Sequence, residues 1–422
     1  MSDRPASEFR LGGKPLAAAL LGVMCGASPV PFNVLPIVMG PIHDELGWDF
    51  AAISAGMMIF GVIASFMAPV YGALADRLGV RPVALWSLFA FGITFAAFWF
   101  LTESLTVYYF FWVVLGIVGI GSTPVTWSRA ISLWFMRNRG FALGIMLLGT
   151  SLAGILVPQL TQAAISLGGW RFAFPALALL PLLIALPVGL AWFREPRADE
   201  RPAGLATATG AVAGLTFREA LRSYRFWVLF CSISLISCAN SGAHIHISQI
   251  VQLHGFSAAA GATVLSVLAS GILVGRLLIG FLLDRFWAPA VAFPALILPA
   301  IGAWLLSGSD TPLHLLAGAG FLLGFAAGTE SDVIAFFAAR YFGMANYGRI
   351  YGALYMPFGI FSAVSPMIYG VVRDATGNYD AMLTVAMGLF VLGGTVLLLL
   401  GRYPQLGSAA AVSGVGPVQA TT

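Results

Sequence analysis

The sequence predicts an all-α membrane protein, with twelve transmembrane helices arranged as two pseudo-symmetric six-helix bundles. Three observations carry that prediction. Hydrophobic residues make up 59% of the 422 and charged residues only 9%, against roughly 45–50% and 25% in an average soluble domain, so no soluble core absorbs the apolar excess. The apolar segments run to about 20 residues, the length a helix rising about 1.5 Å per residue needs to cross roughly 30 Å of hydrocarbon. Short motifs recur at a constant shift of 208 residues.

Taken in order, helices are expected at 15–39, 51–74, 82–101, 105–133, 140–166, 171–193, 225–250, 258–283, 287–308, 313–339, 346–373 and 379–401. The first follows a polar start ending at Lys14, lacks a small-residue cleavage site and is interrupted by Pro29, Pro31 and Pro36. It therefore reads as a retained helix and not a signal peptide. With a cytoplasmic N-terminus, the inner segments hold seventeen Lys and Arg residues and the outer loops hold only Arg171 and Arg373. That bias places both termini and the central loop inside. The net charge of +4 is thus spent on topology, and no nucleic-acid footprint is expected. Cys25, Cys231 and Cys238 all fall within apolar segments without metal-type spacing and read as small packing residues.

The hydrophilic stretch after Arg194 divides the chain into an N-terminal bundle (1–193), a cytoplasmic linker (194–224) and a C-terminal bundle with a short cytoplasmic tail (225–422). The repeat supports this division. Gly72-Ala73-Leu74-Ala75-Asp76-Arg77 returns as Gly280-Phe281-Leu282-Leu283-Asp284-Arg285, Gly144 and Pro158 return as Gly352 and Pro366, and Gly47 and Gly169 return as Gly255 and Gly377, all 208 residues later. Parallel repeats of this kind place a substrate site at the interface between halves, near the bilayer midplane.

The loop bearing Gly72, Leu74, Asp76, Arg77, Gly79 and Arg81 resembles the signature loop of the major facilitator superfamily. Trp134-Phe135 with Arg137, Arg139, Gly140, Ala142 and Gly144, then Gly169-Trp170-Arg171, and Arg276 four residues before Gly280, resemble the monocarboxylate transporter and oxalate/formate antiporter branch. The resemblance implies the major facilitator fold and a secondary active transporter in a bacterial inner (plasma) membrane, carrying a small organic anion, with protons or by exchange. Phe32, Ile272 and Phe358 stand where branch members carry a first-helix lysine, an eighth-helix aspartate and an eleventh-helix lysine, so the branch's proton pathway and its dianion exchange do not transfer.

A charge deep in a span is costly and usually faces a cavity or a partner. Arg129, Arg276, Glu330 and Asp332 qualify. Arg129, Arg276 and Asp332 each lie eight residues from a cytoplasmic-end charge, about 12 Å along the helix. In the functional reading Arg276 forks onto a substrate carboxylate, Arg129 is a second anchor or holds an acid in place, and Glu330 or Asp332 is a proton carrier or counter-ion. In the alternative, the two arginines pair with the two acids and tie the halves together. Glu330 and Asp332, two positions apart, lie about 200° around a helix, so both cannot face one cavity. The same holds for His244 and His246, which argues against their chelating one metal ion.

His246 reads either as a substrate or proton contact or as a bonded core histidine. Asn33, beside the prolines of the first helix, and Tyr355, with Tyr351 and Pro357, are candidate contacts for an organic acid. Gly72, Asp76, Arg77, Arg81, Asp284 and Arg285 read as a conformational latch at the cytoplasmic face. The glycine series 144, 149, 154 and 320, 324, 328 reads as packing faces. The expectation is proton-coupled uptake of a monocarboxylate, aromatic acids included given the supply of aromatic residues, by a monomer alternating its access. The rivals are a drug or metabolite efflux antiporter and a non-transporting membrane sensor. No nucleophile–base set, metal cluster or phosphate-binding loop is evident, so neither an enzyme nor a cofactor is expected.

Overall fold

The computed structural model describes residues 8–135, 139–196, 214–283, 285–308, 310–343 and 346–404. Their regular structure is helical, apart from one isolated bridge between Gly214 and Gly343. The first half contains α1 (Glu8–Met24), α2 (Pro29–Leu46), α3 (Phe50–Leu78), α4 (Val80–Ala97), α5 (Leu105–Val118), α6 (Pro124–Trp134), α7 (Arg139–Leu179) and α8 (Leu186–Trp192). A short α9 (Phe217–Arg222) precedes the second half, which contains α10 (Tyr224–Leu253), α11 (Ala258–Leu283), α12 (Ala288–Leu306), α13 (Leu313–Phe342), α14 (Tyr347–Thr376) and α15 (Asp380–Val396).

Leaving aside the short α9, three joins (α1 with α2, α5 with α6, and α8 with the second part of α7) and one split, within α7, turn these described helices into twelve crossings. α1 and α2 form one 39-residue apolar stretch, broken at residues 25–28, just before Pro29, whose missing N–H cannot continue the ladder. α5 and α6 form another crossing, interrupted by the 3₁₀ turn Ile120–Ser122. The two breaks meet: Ser122 Oγ accepts from Ala27 N at 3.0 Å and donates to Gly119 O at 2.6 Å. Irregular backbone at membrane depth is tolerated where other parts of the protein satisfy it in this way. The stretch Phe141–Trp192 is 52 residues long, too long for one crossing. It bends at Gly168 and Gly169, where φ reaches +77° at Gly169.

The internal repeat is visible in the backbone. Gly47 and Gly255 have φ of +65° and +83°, and Gly169 and Gly377 have +77° and +80°. Each pair, 208 residues apart, ends or bends a helix in the left-handed region that favours glycine.

The buried residues also divide by half. One cluster is built almost wholly from α10–α15 with α9, and two others from α1–α8. Between the halves, α3 packs on α14, α7 on α11, and α2 on α10. Within the second half, α11 and α13 approach closely because an added Cβ at Gly324 or Gly328 would strike the carbonyls of Leu268 and Ile272. Gly149 and Gly154 likewise meet Leu20 and Ala269, whereas Gly144 faces open space. α9 is set against the second half by Leu215 N→Phe342 O at 2.8 Å and Asn346 Nδ2→Leu215 O at 3.1 Å. Its N-terminus carries a capping box, Thr216 with Glu219.

Candidate functional site

"Outer" and "inner" follow the sense set by the arginine distribution. At the outer side the halves touch through small residues and hydrogen bonds. A Cβ on Gly370 of α14 would lie 2.6 Å from Ala51 N of α3, and one on Gly61 would lie 3.0 Å from Ala363 Cβ. Gln159 Nε2 donates to Ser266 Oγ at 3.2 Å, and that hydroxyl donates to Ile155 O at 2.8 Å. Further inward on α14, Gly359 and Gly352 face open space and Tyr355 is 38% exposed. Among the described residues, the halves therefore close at the outer end and leave room at the inner end.

Arg276 on α11 borders this room. It is half-buried, and its Nη1 reaches Thr150 Oγ1 of α7, in the other half, at 3.5 Å. That bond is long by hydrogen-bond standards. Tyr355 stands within Coulombic reach of both Arg276 and Glu330, so α11, α13 and α14 bring these three groups to one region. Tyr351, Tyr355 and Phe358 succeed one another along one face of α14, with ring centroids 5.6 and 4.9 Å apart, and supply an aromatic wall.

Glu330 is 3% exposed. Its Oε1 accepts from Ser237 Oγ of α10, and the walls around it are apolar, including Ile233, Leu296, Val333 and Phe337. A carboxylate charge buried in such surroundings costs several kcal/mol unless it is paired or protonated. The sequence reading did not include Ser237 or Thr150. Each is a lone hydroxyl in an apolar run, and only the packing shows that it faces an ionisable group.

The remaining candidates fall elsewhere. His246 is fully buried in the outer contact between halves. Its Nδ1 is 2.8 Å from Tyr379 Oη, and its Nε2 is 2.9 Å from Pro366 O and 3.2 Å from Ser54 Oγ. His244 packs instead against Phe32, with centroids 4.8 Å apart, so the two imidazoles diverge as their 200° separation requires. Asn33 is buried beside Gly154, and its Nδ2 donates to Pro29 O at 2.8 Å. It satisfies backbone of the proline-rich helix. Among the described residues no group of three or more His, Cys, Asp or Glu side chains is placed to hold a metal ion.

At the inner face, Arg81 Nη2 donates to Leu190 O at 2.8 Å. Arg285 lies 3.5 Å over the Phe281 ring and donates to Phe281 O at 3.2 Å. Arg77 is exposed. These bonds of Arg81 and Arg285 stay within their own halves. Arg129 lies on α6, Asp332 on α13, and Gly72 and Asp76 on α3; their side-chain positions are outside the described residues, as is Asp284 altogether.

The outer end of the first half is tied by Glu45 of α2. Its Oε2 accepts from Trp170 Nε1 at 2.7 Å, and its Oε1 pairs with Arg171. Gly169-Trp170-Arg171 thus works as a fastening between the first and sixth crossings.

A family model described as Major Facilitator Superfamily matches residues 21–366. Monocarboxylate transporter 13 of Rattus norvegicus is 28% identical over 353 residues, covering 81% of this chain and 78% of the relative. Monocarboxylate transporter 11 of Homo sapiens is 25% identical, covering 89% and 78%. The Fujikurins efflux protein of Gibberella fujikuroi is 23% identical, covering 86% and 75%. Among solved structures, a point mutant of the nucleoside transporter NupG superposes with a TM-score of 0.73 at 15% identity, covering 92% of this chain and all of that one.

Proposed function

The chain belongs to the Major Facilitator Superfamily, and from that premise we propose that it is a proton-coupled importer of a monocarboxylate. The substrate is a small organic acid, aromatic members included, and the two halves rock about a site between them. Both termini lie on the cytoplasmic side of a bacterial inner membrane, and the working unit is a monomer.

The observation that carries this reading is the placement of Arg276, half-buried between halves against Thr150, with Tyr355 in range of it and of Glu330. A guanidinium is planar and always charged, so it offers a carboxylate two parallel hydrogen bonds. The α14 rings provide a face for the substrate's organic part. Glu330, or Asp332 on the same helix, carries the proton. The relatives named as monocarboxylate transporters support the substrate class.

Uptake of radiolabelled carboxylates into proteoliposomes, with and without an inward proton gradient, tests the proposal. Accumulation of at least one monocarboxylate that rises with the gradient is expected. A second reading, export of a hydrophobic metabolite, is favoured by the efflux-named fungal relative. It predicts gradient-driven movement in the opposite direction.

A further inference from the structure

Helix N-termini leave backbone N–H groups without intrahelical partners, and α3 fills this need unusually. Its own N-cap residue, Asp49, makes no side-chain capping bond. The N–H groups of Phe50 and Ala51 donate instead to Asp374 Oδ1 at 3.1 Å and Oδ2 at 2.9 Å. Asp374 belongs to the last turn of α14, in the opposite half of the protein. A carboxylate set against two N–H groups at the positive end of a helix dipole is a charge-assisted cap.

The repeat provides an internal control. The residue 208 positions before Asp374 is Ser166, and Phe50 corresponds to Ala258. Ser166 bonds within its own helix, Oγ→Ala163 O at 2.7 Å, and α11 is capped by its own Ser257, which accepts from Ala260 N at 3.2 Å. One helix of the symmetric pair is capped locally and the other only across the interface. Separating the halves at the outer end would therefore uncap α3 and leave α11 untouched.

Three further features lie along the same seam. Gly370, one turn before Asp374, lacks the Cβ that would collide with Ala51 N and Cα at 2.6 and 2.7 Å. Arg373 lies over Phe50 at 5.4 Å and over Tyr379 at 5.9 Å. His246 joins Ser54 of α3 to Pro366 of α14 and to Tyr379.

We propose that Asp374 is the outer-gate residue, holding the outer side shut by capping α3 from the opposite half, with Gly370 admitting the contact and His246 as a second tie. The gate works without substrate, so its test is independent of what the protein carries.

The test places spin labels at Glu103→Cys and Ala259→Cys, two exposed outer positions in opposite halves, after replacing Cys25, Cys231 and Cys238 with Ala. Distance distributions are recorded on purified, substrate-free protein. The otherwise unchanged protein is expected to favour the short distance. Asp374→Asn keeps the side-chain shape and one acceptor but loses the charge and the second bond. On the scale of cap substitutions, it should raise the long-distance population relative to the short on the order of tenfold. Gly370→Ala should shift it the same way by excluding the close approach, and Asp374→Glu should recover much of the short distance. An unchanged distribution in both folded Asp374→Asn and Gly370→Ala overturns the proposal. So does a lowered Tm in Asp374→Asn with the distribution unmoved, which would make the cap merely structural.

Discussion

Replacing Arg276 is the perturbation that bears most directly on the proposed chemistry. Its Cα lies about 10 Å from the inner end of α11, and the side chain is half-buried and held toward Thr150 by a bond of 3.5 Å. A carboxylate arriving there forms hydrogen bonds between charged groups, each contributing about 1.5–3 kcal/mol. Losing a two-point fork therefore removes roughly 3 kcal/mol or more, and at about 1.4 kcal/mol per tenfold Arg276→Ala should weaken binding about a hundredfold or more. Arg276→Lys keeps the charge but not the planar fork and should lose about tenfold. The assay is calorimetric titration of the best transported carboxylate into purified protein, with Tm recorded for each variant. If Arg276 serves only to tie α11 to its neighbours, Arg276→Ala lowers Tm and leaves affinity near normal. That result would refute the anchor role and move attention to Arg129.

Uptake of a weak acid should rise as outside pH falls, and Glu330→Gln or Asp332→Asn should flatten that rise while exchange of preloaded substrate survives; retained pH-driven accumulation in both variants and in the double variant removes these acids from proton coupling. Gly324→Ala should cost about 1–3 kcal/mol, the usual range for overpacking, because its Cβ has only the Leu268 carbonyl to meet; thermal unfolding in detergent measures this, and an unshifted Tm contradicts the packing of α11 on α13. Hydrogen bonds from the Thr216 backbone and then its side chain hold the Glu219 carboxyl below the usual value of 4.5. A depressed pKa stabilises the fold above the unfolded value and loses that effect as pH falls through the folded one, so the protection factors of the amides in residues 216–222, taken relative to intrinsic exchange at each pH, should fall only as pH drops below about 4.5; equal protection factors at pH 7 and pH 3.5 contradict the capping box.

Much of the fold was legible because membrane burial writes itself into composition and length. Apolar runs near 20 residues located the crossings, and Gly47, Gly169, Gly255 and Gly377 marked the repeat because glycine readily adopts the left-handed φ found at all four positions. Deep charges such as Arg276 and Glu330 were legible for a related reason: lipid tolerates them so poorly that their presence implies a protein environment. The 200° rule separated His244 from His246 without coordinates.

What the sequence left open depended on which helix faces which. Ser237 and Thr150 are ordinary hydroxyls in apolar runs, and only packing sets them against Glu330 and Arg276. His246 read as a bonded core histidine ahead of a substrate or proton contact, and which groups its ring would meet, Ser54, Pro366 and Tyr379, came only from the packing. Asp374, near an outer helix end, resembles any surface carboxylate. The tertiary structure gave it a partner 324 residues away, because spacing along one helix determines a residue's direction within that helix, whereas contact across a bundle depends on how two helices are rotated and slid against each other.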